Sequence, residues 1–213
     1  GNMAEGKGGL AEHSFNFLTP FGEIAATAFG TRGEDDKFVL CVQGKSAKTD
    51  VVTEWTYCAR GMAAAGWYVV LPNLHSNEKT TPGTQGAADV ARILSALLEH
   101  CAIQKPFVLC GKSWGGGQAT RFAAANPARV ARLVLVAPSL DEPAAIGQLD
   151  ETLPVKLFWA TDDTVVPIAR AAPYTEGLPT TRLSFSTVEA GGHRILDEYG
   201  APILEFLRPA VSE

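Results

Sequence analysis

Hydrophobic positions along this chain gather into short, nearly unbroken runs: "KFVLCVQG", "GWYVVLPN", "KPFVLCG", "ARLVLVAP", "LPVKLFWA" and "TRLSFSTVEA". Such runs predict strands buried on both faces, as in a parallel sheet. Between them apolar residues recur at helical spacing. Val51, Trp55, Cys58 and Met62 form one stripe, and Ala88, Ile93 and Leu97 form another within "AADVARILSALLEHC". "WGGGQATRFAAANP" and, near the end, "ILDEYGAPILEFL" predict two more helices. Gly66 and Pro127 fall where helices should stop. Strands alternating with helices imply parallel βαβ units.

The opening of the chain differs. "SFNFL" and "EIAATAF" flank Thr19-Pro20-Phe21-Gly22, which predicts two antiparallel strands joined by a turn. The expected fold is therefore α/β: an open, twisted, mainly parallel sheet with an antiparallel N-terminal hairpin and helices on both faces. Ligands in such sheets bind at the carboxyl ends of the strands. Residues 13–213 are expected to form a single domain after a flexible segment over 1–12, and Gly1-Asn2 ahead of Met3 reads as a cloning remnant. "HSNEKTTPGT" (75–84) is a polar loop, and "SLDEPAAIGQLDETL" (139–153) is too short for a separate cap domain.

At 213 residues the chain is long enough to bury one large core. A formal net charge of -5, with no concentrated basic footprint, argues against nucleic-acid binding. No apolar run approaches a membrane span. Cys41, Cys58, Cys101 and Cys110 show no CxxC pairing, so reduced core thiols are expected rather than a zinc site. With no secretory h-region before the first strand, the expected compartment is the cytoplasm.

The tripeptide Gly-Lys-Ser occurs at Gly44-Lys45-Ser46 and again at Gly111-Lys112-Ser113. A phosphate loop needs a glycine five residues earlier, but Val39 and Pro106 hold those positions, inside or beside strands. The second copy belongs instead to Gly111-Lys112-Ser113-Trp114-Gly115, a G-x-S-x-G between a strand and a helix. That is the setting of a nucleophile elbow, whose turn is so sharp that the flanking residues must be small. A serine hydroxyl needs a base and an acid to orient the base. His193 in "VEAGGHRI", just past the last strand, is the candidate base. Asp163 in "FWATDDTVVP" is the preferred acid, with Asp162 expected to cap the turn that follows, and Asp141 is a third candidate.

Serine, aspartate and histidine in this chain order, with "GKSWGG", "ATDDTVVP" and "AGGHRI", make the chain resemble the α/β-hydrolase superfamily from about Phe15 to Leu207. "FVLCVQGKS", "VVLPNLHSNEK" and "GGHRILDEYGAPILEFL" are similar to the group named α/β-hydrolase domain-containing protein 14. The superfamily resemblance implies an α/β-hydrolase fold and an oxyanion hole from the backbone N–H groups of Trp114 and Lys45, with Gly44 admitting the backbone to the oxyanion. Two departures bear on substrate shape: Gln43-Gly44 stands where relatives carry His-Gly, and Asn73-Leu74-His75-Ser76 replaces a glycine-rich serine loop.

The leading expectation is a serine hydrolase acting on a small ester or thioester through Ser113, His193, Asp163 and an acyl-enzyme, with no metal or resident cofactor. Gly44, Lys112 and His75 are candidate substrate contacts. Lys45 and Lys112 at the mouth could attract an anionic acyl chain or coenzyme A, although solvated lysines are the plainer reading. The domain-14 resemblance implies a cytosolic enzyme passing acetyl from lysine to coenzyme A, with nuclear factors as contacts. A binding or scaffold protein on the same fold is the competing class. No sequence feature argues for a protein partner, and the oligomeric state is left open.

Overall fold

The computed structural model describes residues 10–33, 37–45, 51–74 and 87–208. Most of the segment 1–12, the loop residues 75–84 including His75, and Ser46 lie outside the described residues.

Among the described residues eight strands form one sheet: β1 (Glu12–Thr19), β2 (Gly22–Phe29), β3 (Phe38–Val42), β4 (Tyr68–Pro72), β5 (Phe107–Lys112), β6 (Val130–Val136), β7 (Val155–Ala160) and β8 (Leu183–Val188). Their spatial order is β1-β2-β4-β3-β5-β6-β7-β8. β1 and β2 form the expected hairpin, β2 pairs antiparallel with β4, and every later pairing is parallel. The chain leaves β3 outward to β4 and returns to β5 on the other side. The order therefore reverses between β3 and β5, where open α/β sheets leave a crevice at their carboxyl ends.

Five α-helices among the described residues cover the sheet: α1 (Val51–Ala64), α2 (Ala87–His100), α3 (Trp114–Ala125), α4 (Ala172–Gly177) and α5 (Gly200–Phe206). Period-2 alternation divides each central strand between two cores. Leu40 and Val42 of β3, Leu109 of β5 and Leu157 of β7 pack with Ile93 and Leu97 of α2 and Phe122 of α3. Val39 and Cys41, Cys110, and Phe158 pack on the other face with Trp55 and Met62 of α1 and Ile203 of α5. All four cysteines are free and buried, as their positions in apolar runs implied. Burial holds the thiols of Cys58 and Cys101 up to about 12 and about 11. No helix among the described residues is long and apolar enough to cross a membrane.

The stops are where the sequence put them. Gly66, at φ 88°, ends α1: its N–H bonds Ala63 O at 3.0 Å and Trp67 N–H bonds Met62 O at 3.1 Å, the paired bonds of a Schellman motif. α3 stops at Ala125, just before Asn126-Pro127. Two expectations need correction. "TRLSFSTVEA" is not buried on both faces: among the described residues β8 pairs only with β7, and its Ser184, Phe185 and Thr187 are exposed. "ILDEYGAPILEFL" is not one helix but a 3-10 turn at Asp197–Tyr199 followed by the short α5, with Pro202 in its first turn where a missing N–H costs nothing.

Gly61 offers a test of the fold's local energetics. It lies inside α1 with nothing within 4 Å of where a Cβ would stand. Gly61→Ala is expected to stabilise the protein by about 0.5–1 kcal/mol through helix propensity alone, read from the denaturant midpoint.

Candidate active site

Ser113 sits between β5 and α3 with φ 53° and ψ -123°, a conformation that costs a non-glycine residue about 1–3 kcal/mol and persists only where its surroundings enforce it. Three backbone bonds do so. Ser113 N–H donates to Val136 O at 2.9 Å, and Ser113 O accepts from Ser139 N at 2.8 Å and Gly117 N at 3.1 Å. The glycines around it have no room for a side chain. A Cβ would stand 2.5 Å from Gly115 O at Gly111, 2.1 Å from Gln43 O at Gly115, and 2.1 Å from Ser139 O at Gly117. The N-terminus of α3 is thereby pressed against the end of β3 and the loop after β6. Trp114 is the first residue of α3, in the turn that carries the positive end of the helix dipole, and its half-buried ring packs on the α2/α3 core.

Asp163 follows β7 and His193 follows β8, so both stand at the same carboxyl edge as Ser113. His193 Nδ1 donates to Asp163 Oδ2 at 2.7 Å. A carboxylate acceptor places the proton on Nδ1 and leaves Nε2 as an acceptor. Asp163 is buried, and its other oxygen, Oδ1, accepts Val165 N–H and Val166 N–H, each at 2.9 Å. The carboxylate is thus fixed on both sides. Among the described residues no hydrogen bond joins Ser113 Oγ to the imidazole, a contact that is often long until substrate binds.

The neighbouring acid has a different task from the one expected. Asp162 does not cap the following turn; Asp163 Oδ1 does that. Instead Asp162 Oδ1 accepts Gly191 N–H at 3.0 Å and Gly192 N–H at 2.7 Å, tying the β7 turn to the loop that carries His193. The two N–H donors, Gly192 foremost, hold its carboxyl below the usual carboxylate range. A lowered value means the tie is complete at neutral pH and is lost only as pH falls through that value. The Gly191 and Gly192 amide shifts should therefore stay flat from neutrality to about pH 5 and move below the ordinary carboxylate value of about 4. Asp141 is exposed and lies 3.8 Å from Arg170, while the carboxylate on His193 Nδ1 is that of Asp163.

Lys112 also departs from expectation. It is not solvated at the mouth but 7% exposed, because its ammonium is held by Glu54 Oε1 at 2.5 Å. Glu54 Oε2 accepts Gly44 N–H at 2.8 Å. A Cβ on Gly44 would crowd the same lysine, standing 3.2 Å from Cδ and 3.3 Å from Nζ of that side chain. Lys45, next along, is exposed. Nothing in the sequence singled out Glu54, a lone acid on a helical stripe. A cavity of about 450 Å³ lined by His13, Phe15, Arg32, Tyr68 and His100 lies at the opposite, amino edge of the sheet and plays no part in this arrangement.

Residues 38–170 of the 213 match the family model for the alpha/beta hydrolase fold. The chain belongs to the α/β-hydrolase family. Solved structures agree on the fold of this hydrolase. A predicted CIB-like hydrolase from Thermoplasma acidophilum superposes with a TM-score of 0.78 at 19% identity, covering 93% of this chain and 99% of that one. Naproxen esterase (carboxylesterase NP) from Bacillus subtilis gives 0.77 at 13% identity over 93% and 92%. A 2-hydroxy-6-oxo-6-phenylhexa-2,4-dienoate hydrolase from a Rhodococcus species gives 0.76 at 15% over 93% and 100%. No curated protein matches the chain.

Proposed function

We propose that this α/β hydrolase is a serine esterase or thioesterase in which Ser113 attacks an acyl carbonyl, His193 takes and returns the proton, and Asp163 holds the imidazole. The observation that carries this reading is the 2.7 Å bond between His193 Nδ1 and Asp163 Oδ2 at the sheet edge where Ser113 occupies its strained turn. The bond leaves Nε2 as the nitrogen that would accept the serine proton. Attack yields a tetrahedral oxyanion, for which the backbone N–H groups of Trp114 and Lys45 are the proposed donors, each worth roughly 3 kcal/mol in comparable sites. Collapse expels the alcohol or thiol, which takes the proton from His193. Water, activated by the same imidazole, then frees the acid and restores Ser113.

The transferase reading, with coenzyme A as acceptor, comes from the domain-14 resemblance, and Lys45 and Lys112 are the two lysines that could meet a coenzyme A phosphate. Lys112 is taken by Glu54, which leaves Lys45 as the one of those two lysines open to a coenzyme A phosphate. The hydrolase is therefore preferred. A panel of p-nitrophenyl esters of increasing chain length, run with and without coenzyme A, tests it. Turnover that is lost in Ser113→Ala and indifferent to the thiol is expected; acceleration by the thiol would favour acyl transfer, and no turnover with any ester would favour a scaffold.

A further inference from the structure

The loop after β3 and the residue before Ser113 are joined by a single carboxylate. Glu54 projects from α1, with Oε1 on Lys112 Nζ at 2.5 Å and Oε2 on Gly44 N–H at 2.8 Å. The side chains of Lys112 and Glu54 are only 8% and 12% exposed. Burying two charges costs more than a surface pair of this kind returns, so the pair is poor evidence for stability and calls for another reason to be there.

Its position supplies one. Gly44 directly precedes Lys45, and Lys112 is separated from Trp114 only by Ser113. The two groups that Glu54 holds are thus neighbours, along the chain, of the two proposed oxyanion donors. β3 and β5 are adjacent, with Val42 opposite Gly111, and their loops diverge just beyond that point at the switch in strand order. On one side backbone contact sets their spacing, through Gly115 against Gln43 O. On the other side no ladder continues, and the Lys112–Glu54–Gly44 bridge spans the gap. Trp55 Nε1, donating to Val42 O at 3.2 Å, secures α1 to the same strand end and so fixes where Glu54 starts.

We infer that Glu54 and Lys112 are positioning residues that set the separation of the Lys45 and Trp114 N–H groups, with Lys112 serving the oxyanion site through Glu54 rather than binding substrate. The inference rests on the serine-hydrolase reading. Donors aimed at an oxyanion gain strength only as charge develops, so misplacing them lowers kcat and leaves KM nearly unchanged. A displacement on the order of 1 Å costs about 10²-fold.

The test compares wild type, Lys112→Met, Glu54→Gln and the double variant on one p-nitrophenyl ester, with melting temperatures alongside. Lys112→Met strands a buried carboxylate beside the loop and is expected to lower kcat about 10²-fold with KM within about twofold. The double variant removes both charges yet keeps an amide oxygen for Gly44 N–H, and is expected to regain at least about tenfold of that loss. Unchanged kcat in Lys112→Met, or a loss matched by KM or not recovered in the double variant, overturns the inference. Amide exchange at Gly44 reads the bridge without any substrate: Glu54→Ala should speed it about five- to tenfold, as loss of one hydrogen bond implies, and unchanged exchange overturns the bridge. Should wild type show no Ser113-dependent turnover, the hydrolase reading fails and the catalytic role of the bridge falls with it. The exchange result still decides whether the bridge exists.

Discussion

Asp163→Asn is expected to lower kcat about 10⁴-fold on any ester the protein hydrolyses, while the protein stays folded. The reason lies in which atoms the carboxylate meets. Oδ1 accepts two backbone N–H groups, from Val165 and Val166, and an asparagine oxygen can keep both. The amide NH₂ would then replace Oδ2 and face His193 Nδ1, 2.7 Å away, where it can only donate. The ring must then present a bare Nδ1 and carry its proton on Nε2, so it has no lone pair for the serine proton. Asp162→Asn should cost only severalfold, since an asparagine oxygen still accepts from Gly191 and Gly192. Steady-state kinetics on the two variants, with circular dichroism as the folding control, checks the ranking; the reverse order would reassign the acid.

Gly115→Ala should be severely damaging for a single added methyl. The new Cβ would stand 2.1 Å from Gln43 O and 2.6 Å from Val42 O, both backbone atoms at the end of a buried central strand. A flexible side chain could step aside, but these carbonyls are fixed, Val42 O also accepting from the Trp55 indole. Relief would require α3 to lift away from β3, taking Ser113 and Trp114 with it. We expect a loss of at least about 3 kcal/mol, at the upper end of overpacking costs, together with loss of activity. Gly61→Ala, the same change in open space, is the control and should move stability the other way. Chemical denaturation of both variants decides the matter, and equal, small effects would show that the packing around the elbow is loose.

Much of this arrangement was legible in the sequence because it rests on local chemistry. Unbroken apolar runs read correctly as the central strands, and Gly66 and Pro127 marked real helix ends. Gly111 and Gly115 read correctly as positions where a turn leaves no room. What escaped were roles set by distant neighbours. A lysine in a Gly-Lys-Ser looks solvated until α1 brings Glu54 to it across 58 positions of chain. Asp162 and Asp163 are equivalent as letters. They differ because the turn sends one carboxylate inward, to a histidine, and leaves the other to bind the backbone of the same loop. β8 was misread as a buried strand because an apolar run carries no signal that its outer neighbour is missing, although its polar Ser184, Ser186 and Thr187 were a hint. The 3-10 turn before α5 was lost in a helical periodicity too short to define a helix.

The central claim is that Ser113 is the nucleophile. Treating the folded protein with a fluorophosphonate and locating the adduct by peptide mass spectrometry tests it most directly. The account predicts one adduct, on the peptide containing Ser113, absent in Ser113→Ala and much slower to form in Asp163→Asn. An adduct on another residue, or undiminished labelling of Ser113→Ala, would contradict it.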